Sequence, residues 1–281
     1  MKDYELSAEL RGFEKKFSHI VNVTYHDTLR VFDDFLTYII GAFNPEPKPN
    51  PSWDYKKEHN ILFYELMCEW LNVQKSAINK QGWYDTFGDF FMACVGHTSR
   101  QYRGQFFTPQ HICDLMARIT IADTGEKPTA LCGGFGRREV VADCACGSAR
   151  LLLAAHAVNV EQGKRPSYFV GEDIDRMCCK MAAINLCVHG CFGEVVCHDS
   201  LTEPDKVNIG YIINEGLYPI PALPTIRVCY DEKNFLSTQM WAAKRIEAQE
   251  VETPKIKAPV LTRPSRKPSV KTEQLTLNFA D

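Results

Sequence analysis

The sequence predicts an α/β fold, a helical N-terminal domain followed by a parallel sheet with helices on both faces. Apolar residues recur at helical spacing through the first hundred positions, and from about Glu139 short apolar runs alternate with amphipathic stretches. The composition is that of a globular protein: 281 residues, 45% hydrophobic and 24% charged, enough for one sizeable core and a smaller second domain.

In the helical part, Leu29, Phe32, Phe35, Leu36, Ile39 and Ile40 form one stripe, and Leu62, Phe63, Leu66, Trp70 and Leu71 form another. The prolines of PEPKPNPS, residues 45–52, lack amide donors and push their predecessors toward extended geometry, so a loop joins the two helices. The sheet reads as EVVAD followed by the helix SARLLLAAHAVNV, then YFVGEDI followed by a helix through Leu186, then EVVCHDS and YIIN. TIRVCYD, residues 225–231, can supply one more strand. Such a βαβ series places ligands at the carboxyl ends of the strands. A last helix, capped by Ser237, runs through MWAAKRIEAQE. Beyond Thr253, four prolines among lysines and arginines read as a disordered basic tail. The predicted division is 1–100 helical, 101–236 sheet, 237–253 helix and 254–281 tail.

Charge and cysteine usage exclude some classes. A net charge of −3 gives no global attraction to nucleic acid, so any DNA contact must be local. No run approaches the roughly 20 apolar residues that cross a bilayer, so no membrane association is expected. The 12 cysteines lie mostly in apolar stretches with no signal peptide before them, which points to a reducing cytoplasm. Cys144 and Cys146, the adjacent Cys178 and Cys179, and Cys187, Cys191 and Cys197 make no pair of CxxC knuckles. They read as small buried residues, and no metal is predicted.

The most informative segment is VVADCACGSARLL, residues 140–152: a strand ending in Asp143, a turn of small residues holding Gly147 and Ser148, and a helix. A dinucleotide turn offers amides to pyrophosphate at a helix N-terminus. One glycine and an acid at the start of this turn suit a cationic ligand better. The next strand ends in GEDID, where Asp173 can accept hydrogen bonds from ribose hydroxyls. Asp199, in CHDS, closes the third strand. A lone acid there reads as a helix cap, but three in series favour a site.

DCACGSARLL resembles the DPxCGSGxxL cofactor turn of gamma-class N6-adenine DNA methyltransferases, especially the methylation subunits of type I restriction-modification systems. Upstream, GQFFTP and HICDLMARI resemble the family's GxFFTPxxIxxLM segment; downstream, GEDIDRMCCKMAAINLCVHG resembles its GxEID…A..NLxLHG helix. The resemblance implies a Rossmann-like sheet binding S-adenosylmethionine (SAM), with DNA and a specificity subunit as partners. Phe107, Thr108 and Pro109 would line the pocket, and Asp143, Cys146, Gly147 and Ser148 would hold the methionine portion. Asp173 and Ile174 would take the ribose and adenine, and Asp199 the adenine amine. Cys144 replaces the usual proline, and Ala149 replaces the second glycine and crowds the turn by a methyl group.

The family's methyl-transfer motif, NPPF or NPPY, accepts hydrogen bonds from the target amine and stacks the flipped base. At the matching strand end the sequence reads YIINEGLYPIP. Asn214 is retained, Glu215 and Gly216 replace the prolines, Leu217 replaces the aromatic residue, and Tyr218 follows one place later. Asn214 is the predicted acceptor, with Tyr218 as a stacking residue. Three functions follow: an adenine methyltransferase, a non-catalytic SAM-binding, DNA-associated relative, or an interaction module working through its helices and tail. Gln274, Leu277 and Phe279 in the tail fit QxxLxF, which resembles the peptide that docks on the bacterial sliding clamp. Packing of Leu275, Leu277 and Phe279 on the body or as an edge strand explains the same pattern.

Overall fold

The computed structural model describes residues 6–46, 53–95, 107–121, 139–164, 166–215 and 223–252. The N-terminal part comprises α1 (Arg11–Thr24), α2 (Thr28–Phe43), α3 (Lys57–Gln81) and the short α4 (Thr86–Phe90), which runs into a π-helical turn, Phe91–Val95. Asp27 starts α2 by accepting the amides of Leu29 and Arg30, at 2.8 and 3.3 Å. Both predicted stripes contribute buried side chains, although Leu71 of the second stays exposed.

These helices share a core with the sheet. Phe13, Phe32, Phe35, Phe63, Phe87 and Phe90 are fully buried, Phe13 meeting Phe90 edge-on at 4.8 Å and Trp70 stacking on Phe87 at 4.9 Å. The same cluster continues through Leu153, Phe169 and Ile184 to Ile226. Lys180, nearly buried, donates to Asp33 at 2.6 Å and Thr37 at 2.8 Å, fastening the sheet's helical layer to α2. Among the described residues the core therefore runs on from the helices into the sheet. The chain's contacts group it into Met1–Lys244 and Arg245–Asp281. Of the second unit, the described residues are the end of the last helix.

After α5 (Gln110–Thr120) come β1 (Val140–Asp143), α6 (Arg150–Glu161), β2 (Tyr168–Asp173), α7 (Arg176–Val188) and β3 (Phe192–Cys197), then β4 (Ile209–Ile213), β5 (Ile226–Cys229) and α8 (Leu236–Glu252). The sheet order is β1-β2-β3-β4-β5. β1, β2 and β3 are parallel, in the register Val140↔Tyr168 and Tyr168↔Phe192. β4 then runs antiparallel to β3, and β5 antiparallel to β4.

The expected wholly parallel sheet is thus corrected to a mixed one. A parallel return needs a crossover of about a dozen residues or more, usually a helix. Residues 198–208 form only turns, so the chain folds straight back. Coverage is also uneven. One face carries the large core, whereas the other holds a small cluster of Val196, Ile212, Cys229 and Phe235. Phe235 lies so flat on β4 that a methyl group at Gly210 would come 2.2 Å from its ring. On that face Val140 and Ala142 of β1 are exposed among the described residues.

Ser237 is not the helix cap. It lies in the first turn of α8, donating through its hydroxyl to Glu172 at 2.6 Å. Glu194 of β3 does the capping, accepting the amides of Leu236 and Ser237 at 3.0 and 2.7 Å, because a buried carboxylate satisfies two open donors at once. The cysteines described as to burial are free thiols, eight of them buried. No described helix is long and apolar enough to cross a membrane.

Candidate functional site

The acidic strand ends meet at the carboxyl edge of the parallel strands. Asp143 closes β1, with Oδ1 accepting the Ala145 amide at 3.1 Å while the buried Oδ2 has no partner. Burial raises its carboxyl above the usual range, and the neighbouring charges of Asp173 and Glu172 add to the rise. Asp173 closes β2 and accepts the amides of Gly147 at 2.9 Å and Asp175 at 2.8 Å; burial raises it too. Ile174, just beyond, is 69% exposed. Asp199 is turned to its own loop, accepting from Leu201, Thr202 and the Thr202 hydroxyl, bonds that lower its carboxyl.

The turn between β1 and α6 has two sides. Gly147 has φ 54, and an added methyl would lie 3.0 Å from the Phe107 ring, so glycine is favoured there on both counts. Cys146 and Ser148 point into the protein, not toward the crevice. Ser148 donates to Asp85 at 2.5 Å, beside Arg150, whose Nε meets the same oxygen at 2.6 Å and whose second terminal nitrogen meets Asp89 at 2.6 Å. The side chains of Cys146 and Ser148, expected at a methionine portion, thus serve packing and the framework of the turn, leaving its backbone to face the crevice. Arg150 also reaches the Thr108 carbonyl at 3.3 Å and lies 5.6 Å from the Phe107 ring, and Pro109 is the residue that precedes α5. A cavity of about 200 Å³ on this inner side is lined by Trp83, Tyr84, Asp85, Asp89, Pro109, Gln110, His111 and Arg150, and includes none of the strand-end acids.

Asn214 lies elsewhere. Ile213 pairs with Gly193 at the start of β3, so Asn214 sits at the opposite end of the sheet from Asp173 and Asp199, about 17 Å away by strand rise. It is 1% exposed. Its Nδ2 donates to the carbonyls of Cys187 at 3.0 Å and Cys191 at 2.8 Å, and its Oδ1 accepts the Thr225 amide at 3.0 Å. With φ 55, it pins the end of α7 and the start of β5. The structure therefore does not bring the predicted acceptor to the crevice of strand-end acids, because the reversal of β4 carries it away. Glu215 is engaged as well, its Oε2 pairing with Arg227 at 2.7 Å. Tyr218, and Gln274, Leu277 and Phe279, lie outside the described residues, as does the tail at 254–281.

The observed set suits a ligand with a cationic end and hydroxyls. The unpartnered Asp143 oxygen can accept from an ammonium group, Asp173 retains acceptor capacity, and exposed Ile174 offers an apolar surface. SAM has these groups, and the residues at the crevice fit them. Among the described residues no group of three or more His, Cys, Asp or Glu side chains converges for a metal.

Fold and site together define an α/β protein with an acid-lined crevice at the carboxyl ends of its parallel strands. A family model, N-6 DNA Methylase, matches residues 83–249, more than half of the chain. The chain belongs to the N-6 DNA methylase family, which is SAM-dependent. It is 34% identical over 109 residues, 37% of its length, to the Type I restriction enzyme MpnII methylase subunit of Mycoplasma pneumoniae (strain ATCC 29342 / M129 / Subtype 1), of which it spans 18%. The type I restriction-modification system methyltransferase subunit from Streptococcus thermophilus superposes with a TM-score of 0.33 at 16% identity, covering 73% of this chain and 44% of that one.

Sequence reasoning missed Asp85, Asp89 and Asn185. The local signal at Asp85, an acid before a helical run, announces only a cap, which it also is: it accepts the Gly88 amide at 2.7 Å.

Proposed function

We propose that the chain binds SAM or its demethylated product at the Asp143–Asp173 crevice and, acting alone, does not methylate adenine. It is a DNA-associated accessory relative of the methylases, working beside a partner subunit. The position of Asn214 supports this reading. A residue whose side-chain amide is fully hydrogen-bonded, buried and a strand-length from the crevice cannot also accept from a target amine held beside the sulfonium. Bound there, SAM would supply the activated methyl group. The chain's contribution is to anchor the ammonium on Asp143 and the ribose on Asp173.

Calorimetric titration with SAM and S-adenosylhomocysteine, followed by labelled methyl transfer to mixed-sequence and host DNA, tests this. Both ligands are expected to bind, and Asp143→Asn to weaken them by about ten- to a hundredfold, as expected for loss of a charge-assisted bond. No label is expected on DNA. Absence of binding overturns the cofactor site. Transfer that disappears with Asn214→Ala overturns the non-catalytic reading and restores the methyltransferase.

A further inference from the structure

The cofactor turn contains a residue in the wrong backbone region for its side chain. Ala149 has φ 72, a left-handed conformation that disfavours any residue with a Cβ by roughly five- to thirtyfold in population. It is fully buried, so solvent does not hold it there. What flanks it is Asp85, from the segment that enters α4. Asp85 Oδ2 accepts from Ser148 at 2.5 Å and Arg150 Nε at 2.6 Å, the residues on either side of Ala149. Its Oδ1 accepts from Gly88 at 2.7 Å and Asn185 at 2.8 Å, and Asn185 also donates to the Ser148 carbonyl at 2.9 Å.

All four acceptor positions of this carboxylate are thereby used, two per oxygen. Asp85, Ser148, Arg150 and Asn185 are each at most 5% exposed, where an unpaired charge is prohibitively costly and geometry is tightly held. Gly88 leaves the room needed: a methyl there would lie 1.8 Å from Asp85 Oδ2 and 2.9 Å from Arg150. On the other side of Ser148, the Gly147 amide meets Asp173 at 2.9 Å.

We infer that Asp85 is a positioning residue of the cofactor turn, clamping Ser148 and Arg150 so that Ala149 stays left-handed and the Gly147 amide stays on Asp173. The helical segment is then a working part of the crevice, and the clamp compensates for an alanine where glycine would be relaxed. The ligand side of this inference rests on the cofactor reading above.

The test is a cycle of Asp85→Asn, Ala149→Gly and the double variant in the full chain, with Ser148→Ala as a milder cut of the clamp. S-adenosylhomocysteine affinity is read by calorimetry, and amide exchange of residues 147–150 by mass spectrometry. D85N is expected to weaken binding at least tenfold and S148A about threefold. A149G alone should bind as well as wild type or better, and adding A149G to D85N should recover most of the loss, since glycine needs no clamp. A purely structural Asp85 would lower the melting temperature without that recovery. Binding by folded D85N and S148A within twofold of wild type, or a double variant no better than D85N, overturns the inference. If D85N does not fold, S148A against S148A/A149G gives the same comparison. If wild type binds neither ligand, the cofactor reading fails while the clamp is still decided by exchange: at least tenfold faster at 147–150 in D85N and slowed again in the double variant, or unchanged and overturned.

Discussion

At the scale of single residues, Asn214 separates ancestry from use. It stands where the family resemblance expects a hydrogen-bond acceptor for an adenine, yet its amide joins the end of α7 to the first residues before β5. Asn214→Ala leaves two carbonyls and one amide without that partner in a buried setting, at a cost on the order of 2–4 kcal/mol. Thermal unfolding should move down by roughly 5–15 °C, while S-adenosylhomocysteine affinity stays within twofold. A weakened affinity with unchanged stability would put Asn214 in the crevice. The acids Asp143 and Asp173 were legible in sequence because a strand followed by an acid is a local pattern. The side-chain directions of Ser148 and Cys146 were not legible, because the direction of a side chain in a turn is set by partners far along the chain, Asp85 in one case and the β2 backbone at Gly171 in the other.

Among the elements, helices and strands were read nearly in place, since periodicity reports what faces a core. Strand direction was not, because it depends on whether residues 198–208 make a crossover helix or a turn. The junction of α7 with the helical layer carries a titratable contact. His189 donates from Nδ1 to the Asn185 carbonyl at 2.6 Å and accepts the Tyr84 amide on Nε2 at 3.2 Å, an arrangement that needs the neutral ring. Burial lowers its pKa to about 4. The unfolded value lies near 6.5, so between the two the unfolded chain binds more protons. The contribution is complete above pH ~6.5 and is lost as pH falls toward 4. Asp89, Asp143, Asp173 and Glu194, all raised by burial, act with the opposite sign, so the informative quantity is the difference between wild type and His189→Gln. Denaturant unfolding should show that difference shrinking by up to about 1.4 kcal/mol per pH unit below 6.5. A constant difference would mean the ring is not held neutral.

Across the whole molecule, the continuous core predicts one unfolding event for residues 1–244 rather than separate melting of helices and sheet. Tryptophan fluorescence and far-ultraviolet dichroism should give coincident transitions, and Phe90→Ala should lower both midpoints together, at a cost of about 3–5 kcal/mol. Two transitions, with only the helical one moved, would contradict a shared core. This unity was hidden in the sequence, where the change from helical spacing to short apolar runs suggested separate helical and sheet parts. The ties that erase the boundary, Lys180 to Asp33 and Arg150 to Asp85, join residues too far apart for any pattern to pair.

The arrangement of thiols has a practical consequence. Among the cysteines described as to burial, Cys144 is the exposed one and Cys68 is half-buried, while the rest lie inside. Cys144 directly follows Asp143 and anchors the crevice rim through its carbonyl, which accepts the Ser200 hydroxyl at 3.1 Å. The natural chain thus carries an addressable attachment point for a fluorophore at the mouth of the crevice, where an environment-sensitive dye can follow occupancy in real time without an engineered handle.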